Sequence, residues 1–141
     1  MKPESADYLA KSRECLDAAK TIIAFPLPQV AAKEAYLAVY HAAHAFVFES
    51  TGKAVKSHKG MRSKFAEVTK GDGRFDRALT SLLARAYKFK EVADYGIGPG
   101  GGVTAKEAQG LIDLAQRFVD KITQLLPPGV DGPPRGPGAQ P

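Results

Sequence analysis

Residues 29–50 read QVAAKEAYLAVYHAAHAFVFES. From Ala35 to Phe48 every residue is apolar or aromatic except His41 and His44. A run of this length without Gly or Pro is a helix, and a helix apolar on all sides must be covered on all sides. Two arrangements satisfy that requirement. The helix lies at the centre of a helical domain, or one of its faces meets a second protomer. No apolar run reaches the roughly 18 residues of a membrane span, so no membrane insertion is expected.

Helical patterns continue on both sides of this segment. Upstream, about Ser5 to Phe25, Leu9, Leu16 and Ile23 recur every seventh residue with Ser12 and Ala19 between them, which is one buried stripe ended by Pro26-Leu27-Pro28. The central helix itself spans about Gln29 to Ser50 and stops at Thr51-Gly52. A short helix follows over about Lys59 to Lys70, and a longer one over about Arg74 to Tyr95. The stretch Gly96-Ile97-Gly98-Pro99-Gly100-Gly101-Gly102 is too rich in glycine for helix or strand. It lacks the preceding strand and following Gly-Lys-Ser/Thr of a phosphate loop, and reads as a connector. Thr104-Ala105-Lys106-Glu107 is a capping box that opens the last helix, whose core positions are Ala108, Leu111, Ala115, Phe118, Ile122 and Leu125. No segment alternates with period two over a strand's length. The expected fold is all-α, an antiparallel bundle of four to five helices over residues 1–126. Residues 127–141 hold six of the ten prolines and four glycines, and read as a disordered tail.

Composition bounds the function. The chain has 141 residues, one domain's worth, and its single cysteine, Cys15, excludes an internal disulfide framework. MKPESADYLAKSRE at the N-terminus is charged early and has no apolar signal core, so the chain reads as cytoplasmic. Net charge is +5, but residues 53–90 alone hold eleven Lys/Arg against Glu67, Asp72 and Asp76. The charge is therefore a local patch. It suits a polyanion, nucleic acid first, or is only a solvated face. Within it Arg74, Arg77, Arg85 and Lys88 fall on an arc about 80° wide of one continuous helix, a candidate phosphate track.

His41 and His44 are about 60° apart on the central helix, and Glu34, seven residues before His41, lies about 20° from it in projection. This is a polar site on an apolar helix, with histidine as the acid/base group near neutral pH, or a pair of core histidines bonded to backbone or tyrosine. A metal site needs more ligands than H-x-x-H and a distant Glu, so none is expected, nor any cofactor.

Lys33-Glu34-Ala35-Tyr36-Leu37-Ala38-Val39-Tyr40-His41-Ala42-Ala43 resembles the signature helix of small bacterial and archaeal HEPN proteins, as does Lys56-Ser57-His58-Lys59-Gly60 after it. Tyr87 to Gly96 is similar to the end of that family's fourth helix, and the closing helix with Glu107-Ala108 and Phe118-Val119 fits as well. The resemblance spans about residues 5–124 and implies a bundle that dimerises. It implies action on RNA in toxin–antitoxin or defence systems, often beside a nucleotidyltransferase antitoxin, and in many members metal-independent ribonuclease activity. The motif is an Arg and a His with four to six residues between them, two copies meeting at the dimer interface. The His transfers protons and the Arg stabilises the phosphate. His41 matches the histidine, but Glu34 occupies the Arg position, and a carboxylate repels phosphate. The alternative implied is a non-catalytic dimer that binds a partner protein or a nucleotide.

Overall fold

A computed structural model describes residues 1–128; of the tail expected over 127–141, all but the first two residues lie outside the described part. The described residues form six α-helices and no strand: α1 (Pro3–Ile22), α2 (Pro28–Thr51), α3 (His58–Thr69), α4 (Arg77–Thr80), α5 (Leu82–Tyr95) and α6 (Ala105–Leu125).

α1 and α2 form an antiparallel hairpin. At its open end the Lys2 backbone N–H donates to Glu49 Oε1 (2.8 Å), and Lys2 Nζ donates to the Glu49 carbonyl (2.8 Å). Midway, buried Ser12 donates its hydroxyl to the Ala38 carbonyl (2.5 Å). α6 runs antiparallel to α1, with Arg13 bonded to Thr123 and Lys20 to Gln116. α5 lies against α2, and α3 runs along α2 with its His58 at Tyr36 and its Phe65 at Phe46.

α2 is the central helix. Fourteen of its 24 residues are buried, and Ala31, Ala32, Ala35, Ala38, Ala42, Ala43 and Ala45 are completely inaccessible. Small side chains let α1 and α6 pack close to its backbone, so its apolar surface is mostly covered within one chain. Under α3 the core turns aromatic. Phe65 meets Phe46, Phe75 and Phe118 at ring-centroid distances of 6.1, 5.7 and 5.5 Å. α6 begins with the capping box read from the sequence: Glu107 N–H donates to Thr104 Oγ1 (3.1 Å) and Thr104 N–H to Glu107 Oε1 (3.0 Å). Of its expected core positions only Leu125 is half-buried rather than buried.

Two local expectations are corrected. The helix expected from Arg74 to Tyr95 is broken. Asp76 caps α4 by accepting from Leu79 N–H (2.9 Å), and Ser81 turns its hydroxyl back onto the Arg77 carbonyl (2.8 Å), competing with the regular ladder. Arg74 therefore precedes the helix, and the basic residues do not share one continuous helical face. The glycine connector contains a tight turn, Pro99–Gly102, folded back on the end of α5. A Cβ on Gly96 would stand 1.8 Å from the Gly101 carbonyl oxygen, so only glycine permits that approach.

Candidate functional site

One stripe of α2 stays partly open between α1 and α5. Val30, Lys33, Glu34, Leu37, Tyr40 and His41 are all half-buried, at the three- and four-residue spacing of a single helix face. His41 and Glu34, expected as site residues, both lie on it. Its two flanks differ in chemistry.

On the α1 flank, burial first, and then the nearby Glu34 carboxylate, push the Cys15 thiol up to about 11. Cys15 is thus protonated and inert, and Glu34 is turned towards α1. No hydrogen bond or ion pair joins Glu34 to His41. The His41 Nδ1 is buried and has no hydrogen-bond partner among the described residues. Burial first, then the positive charge of Lys11 and the neighbouring His44 and His58, lower its pKa to about 4. At neutral pH this ring is uncharged and able to accept a proton.

His44 has different surroundings. It is buried, stacks on Tyr8 (3.8 Å between centroids, 12° between planes), and its Nε2 accepts from Val55 N–H (3.1 Å). It fixes the chain leaving α2. Burial lowers its pKa as well.

On the α5 flank sits a cluster that the sequence reading did not assign. The Tyr36 hydroxyl is 2.5 Å from His58 Nδ1. Burial raises the Tyr36 pKa, so the phenol keeps its proton, and where it donates that proton in this bond the His58 proton is on Nε2. Around His58 stand Tyr40 (4.9 Å) and Tyr87 (5.8 Å), and the Arg62 guanidinium lies 4.3 Å over the Tyr87 ring. Lys90 sits beside them, 5.7 Å from the same ring, and bonds to Asp94 (2.7 Å), which also pairs with Lys33 (2.9 Å). Tyr40 touches both His58 and His41 (5.4 Å) and so joins the two flanks. The cluster was hard to find because its parts come from α2, α3 and α5. The available signals were the four-residue spacings Tyr36/Tyr40 and His58/Arg62.

The expected basic track is placed elsewhere. Arg74 is paired with Asp72 (2.7 Å) and lines a cleft against α6 with Arg117 and Lys121. Arg85 borders a second cleft, with Phe89, Glu107 and Leu111. Arg77 and Lys88 are exposed. Among the described residues none of the four has a hydrogen bond, ion pair or ring contact with His41, His44 or Glu34. No group of three or more His, Cys, Asp or Glu among the described residues is placed to hold a metal ion.

The histidines predict an acid-labile fold. All three have pKa values below that of an unfolded chain, about 6.5, so the unfolded state binds protons first as pH falls. Stability is full above pH 6.5 and declines towards pH 4. His41 accounts for roughly 1–2 kcal/mol of that decline, its part-exposed ring reducing the full linkage value. Urea midpoints measured from pH 7.5 to 4 should fall more steeply for the wild type than for His41→Leu. Parallel curves would show that the ring is not held neutral.

The HEPN domain family matches residues 5–125, nearly all of the described chain. The chain belongs to the HEPN family. Curated relatives agree. The UPF0332 protein glr0978 of Gloeobacter violaceus is 27% identical over 126 residues, covering 89% of this chain and 98% of that protein. The protein named "Putative toxin MJ0605" of Methanocaldococcus jannaschii is 28% identical over 115 residues, covering 82% of this chain and 83% of that one. The crystal structure of TT1696 from Thermus thermophilus superposes with a TM-score of 0.75 at 20% identity, covering 89% of this chain and all of that one. That likeness confirms the helical fold. In this HEPN domain His41 and Glu34 both lie on the open stripe of α2. No described helix is long and apolar enough to cross a membrane.

Proposed function

We propose that this HEPN protein is the RNA-acting component of a toxin–antitoxin or defence system, working as a homodimer paired through the open stripe of α2. The observation that carries the reading is His41: an uncharged imidazole with an unpartnered buried Nδ1, on a part-exposed face between aromatic and basic side chains. Single-stranded RNA is held by such surfaces, bases on aromatic rings and phosphates on cations. HEPN membership and a relative named as a toxin point the same way.

The chemistry needs no metal. A ribose 2′-hydroxyl gives its proton to one imidazole as its oxygen bonds to the adjacent phosphorus. The P–O5′ bond breaks, and the departing oxygen takes a proton from the imidazolium just formed or from water. Glu34 favours a second reading. A carboxylate at the position of the motif Arg opposes phosphate binding, and suits a non-catalytic dimer that binds an antitoxin of nucleotidyltransferase type or a nucleotide.

RNA cleavage in EDTA by the wild type and by Glu34→Arg separates the two. Under the ribonuclease reading both proteins cleave, and Glu34→Arg does so at least about tenfold faster, as expected when a cation replaces a repelling charge near the phosphate. Glu34 is only half-buried, so the fold persists in that variant. If neither protein cleaves, the binding dimer is the correct reading.

A further inference from the structure

Arg62 is the least explained cation in the described part of the molecule. Its Nη1 is buried and has no hydrogen-bond partner among the described residues, while its guanidinium lies over the Tyr87 ring at 4.3 Å. A buried guanidinium N–H without an acceptor is costly, and an incoming anion removes that cost. Other ion pairs of the basic segment, such as Arg74–Asp72 and Lys64–Glu67, are exposed local pairs that leave no donor buried.

His58 faces the same place. Tyr36 occupies its Nδ1 and leaves Nε2 free, and a Tyr36 hydroxyl that donates to Nδ1 makes Nε2 an N–H donor. Arg62 (4.3 Å), Lys90 (5.7 Å) and the His58 ring (5.8 Å) all stand around the Tyr87 ring, which groups the three side chains. The carboxylate paired with Lys90, Asp94, is already shared with Lys33. Positive groups therefore outnumber negative ones, and the rings of Tyr40 and Tyr87 border them. Donors, excess positive charge and flat aromatic walls match a phosphate that carries a nucleobase.

We propose that Arg62, Lys90 and the His58 N–H form a phosphate subsite that holds one phosphodiester of a bound RNA, with Tyr36 as the positioning residue that fixes the His58 tautomer. The subsite deepens the RNA reading above and rests on it for the source of the phosphate. Tyr40 is in ring contact with both His58 and His41, so a strand anchored on Arg62 crosses Tyr40 to reach His41. The subsite supplies from α3 and α5 the phosphate contact that Glu34 cannot make from α2.

The test has two arms on the full chain. In the first, histidine side-chain NMR signals are followed while inorganic phosphate is added to the wild type and to Arg62→Gln. The His58 signals should move in the wild type and stay still in the variant. In the second, a labelled single-stranded RNA is bound at several salt concentrations to the wild type, Arg62→Gln and Lys90→Gln. Each variant should bind about tenfold more weakly, with a salt slope smaller by about one. Lys90→Gln leaves the Arg62–Tyr87 stack in place and covers the case in which Arg62→Gln loosens the fold. Phosphate that moves His58 while the wild type binds no RNA supports the subsite and overturns the RNA reading, leaving a free nucleotide as the source. Unmoved His58 signals at millimolar phosphate, or wild-type RNA affinity in both variants, overturns the subsite.

Discussion

His41→Ala is expected to abolish metal-independent RNA cleavage and leave the protein folded. A positioned acid/base group contributes about 10²–10⁴-fold, and a rate lower by that factor falls below detection in an ordinary gel assay. The fold should tolerate the change for three reasons. The ring is only half-buried, its Nδ1 has no partner to strand, and Ala is the better helix former. The melting temperature should stay within a few degrees of wild type. The control is His44→Ala, whose stacking on Tyr8 and bond from Val55 tie the end of α2 to the following chain. That variant should lose stability first, and activity only through it. Full cleavage by His41→Ala would remove His41 as the proton-transfer group and shift attention to His58.

Phe118→Ala should be the most damaging single substitution for stability. The side chain is completely buried on α6 and meets Phe65, which in turn packs on Phe46 and Phe75. Its loss opens a cavity where α2, α3 and α6 converge, and burial losses of this kind cost about 3–5 kcal/mol. For a domain of this size that lowers the melting temperature by roughly 10–20 °C. Urea denaturation should show the midpoint falling with little change in slope. A loss below about 1 kcal/mol would mean that the aromatic layer is not packed as described.

Much of the fold was legible in residues of regular period. The α6 stripe and its capping box depend only on spacing along one helix, and spacing is visible in sequence. The break at Ser81 was not. It arises from a side-chain hydroxyl turning back on the Arg77 carbonyl, a local competition that periodicity does not register. The site divided in the same way. His41 stood out because an ionisable residue on an apolar helix violates its surroundings, while the inequality of His41 and His44 did not show. Their rings differ only in what α1 and the chain after α2 place against them.

By itself the sequence determined an all-helical chain with a central apolar helix, on which His41 and Glu34 stand seven residues apart on one face. These follow from residue identity and from periodicity within single helices. Only the tertiary structure decided which faces of α2 are covered, that Glu34 turns to Cys15, and that Tyr36, His58, Arg62, Tyr87 and Lys90 meet. Those residues come from three helices up to 54 positions apart, and their convergence is set by the packing of α3 and α5 on α2, which no local pattern encodes.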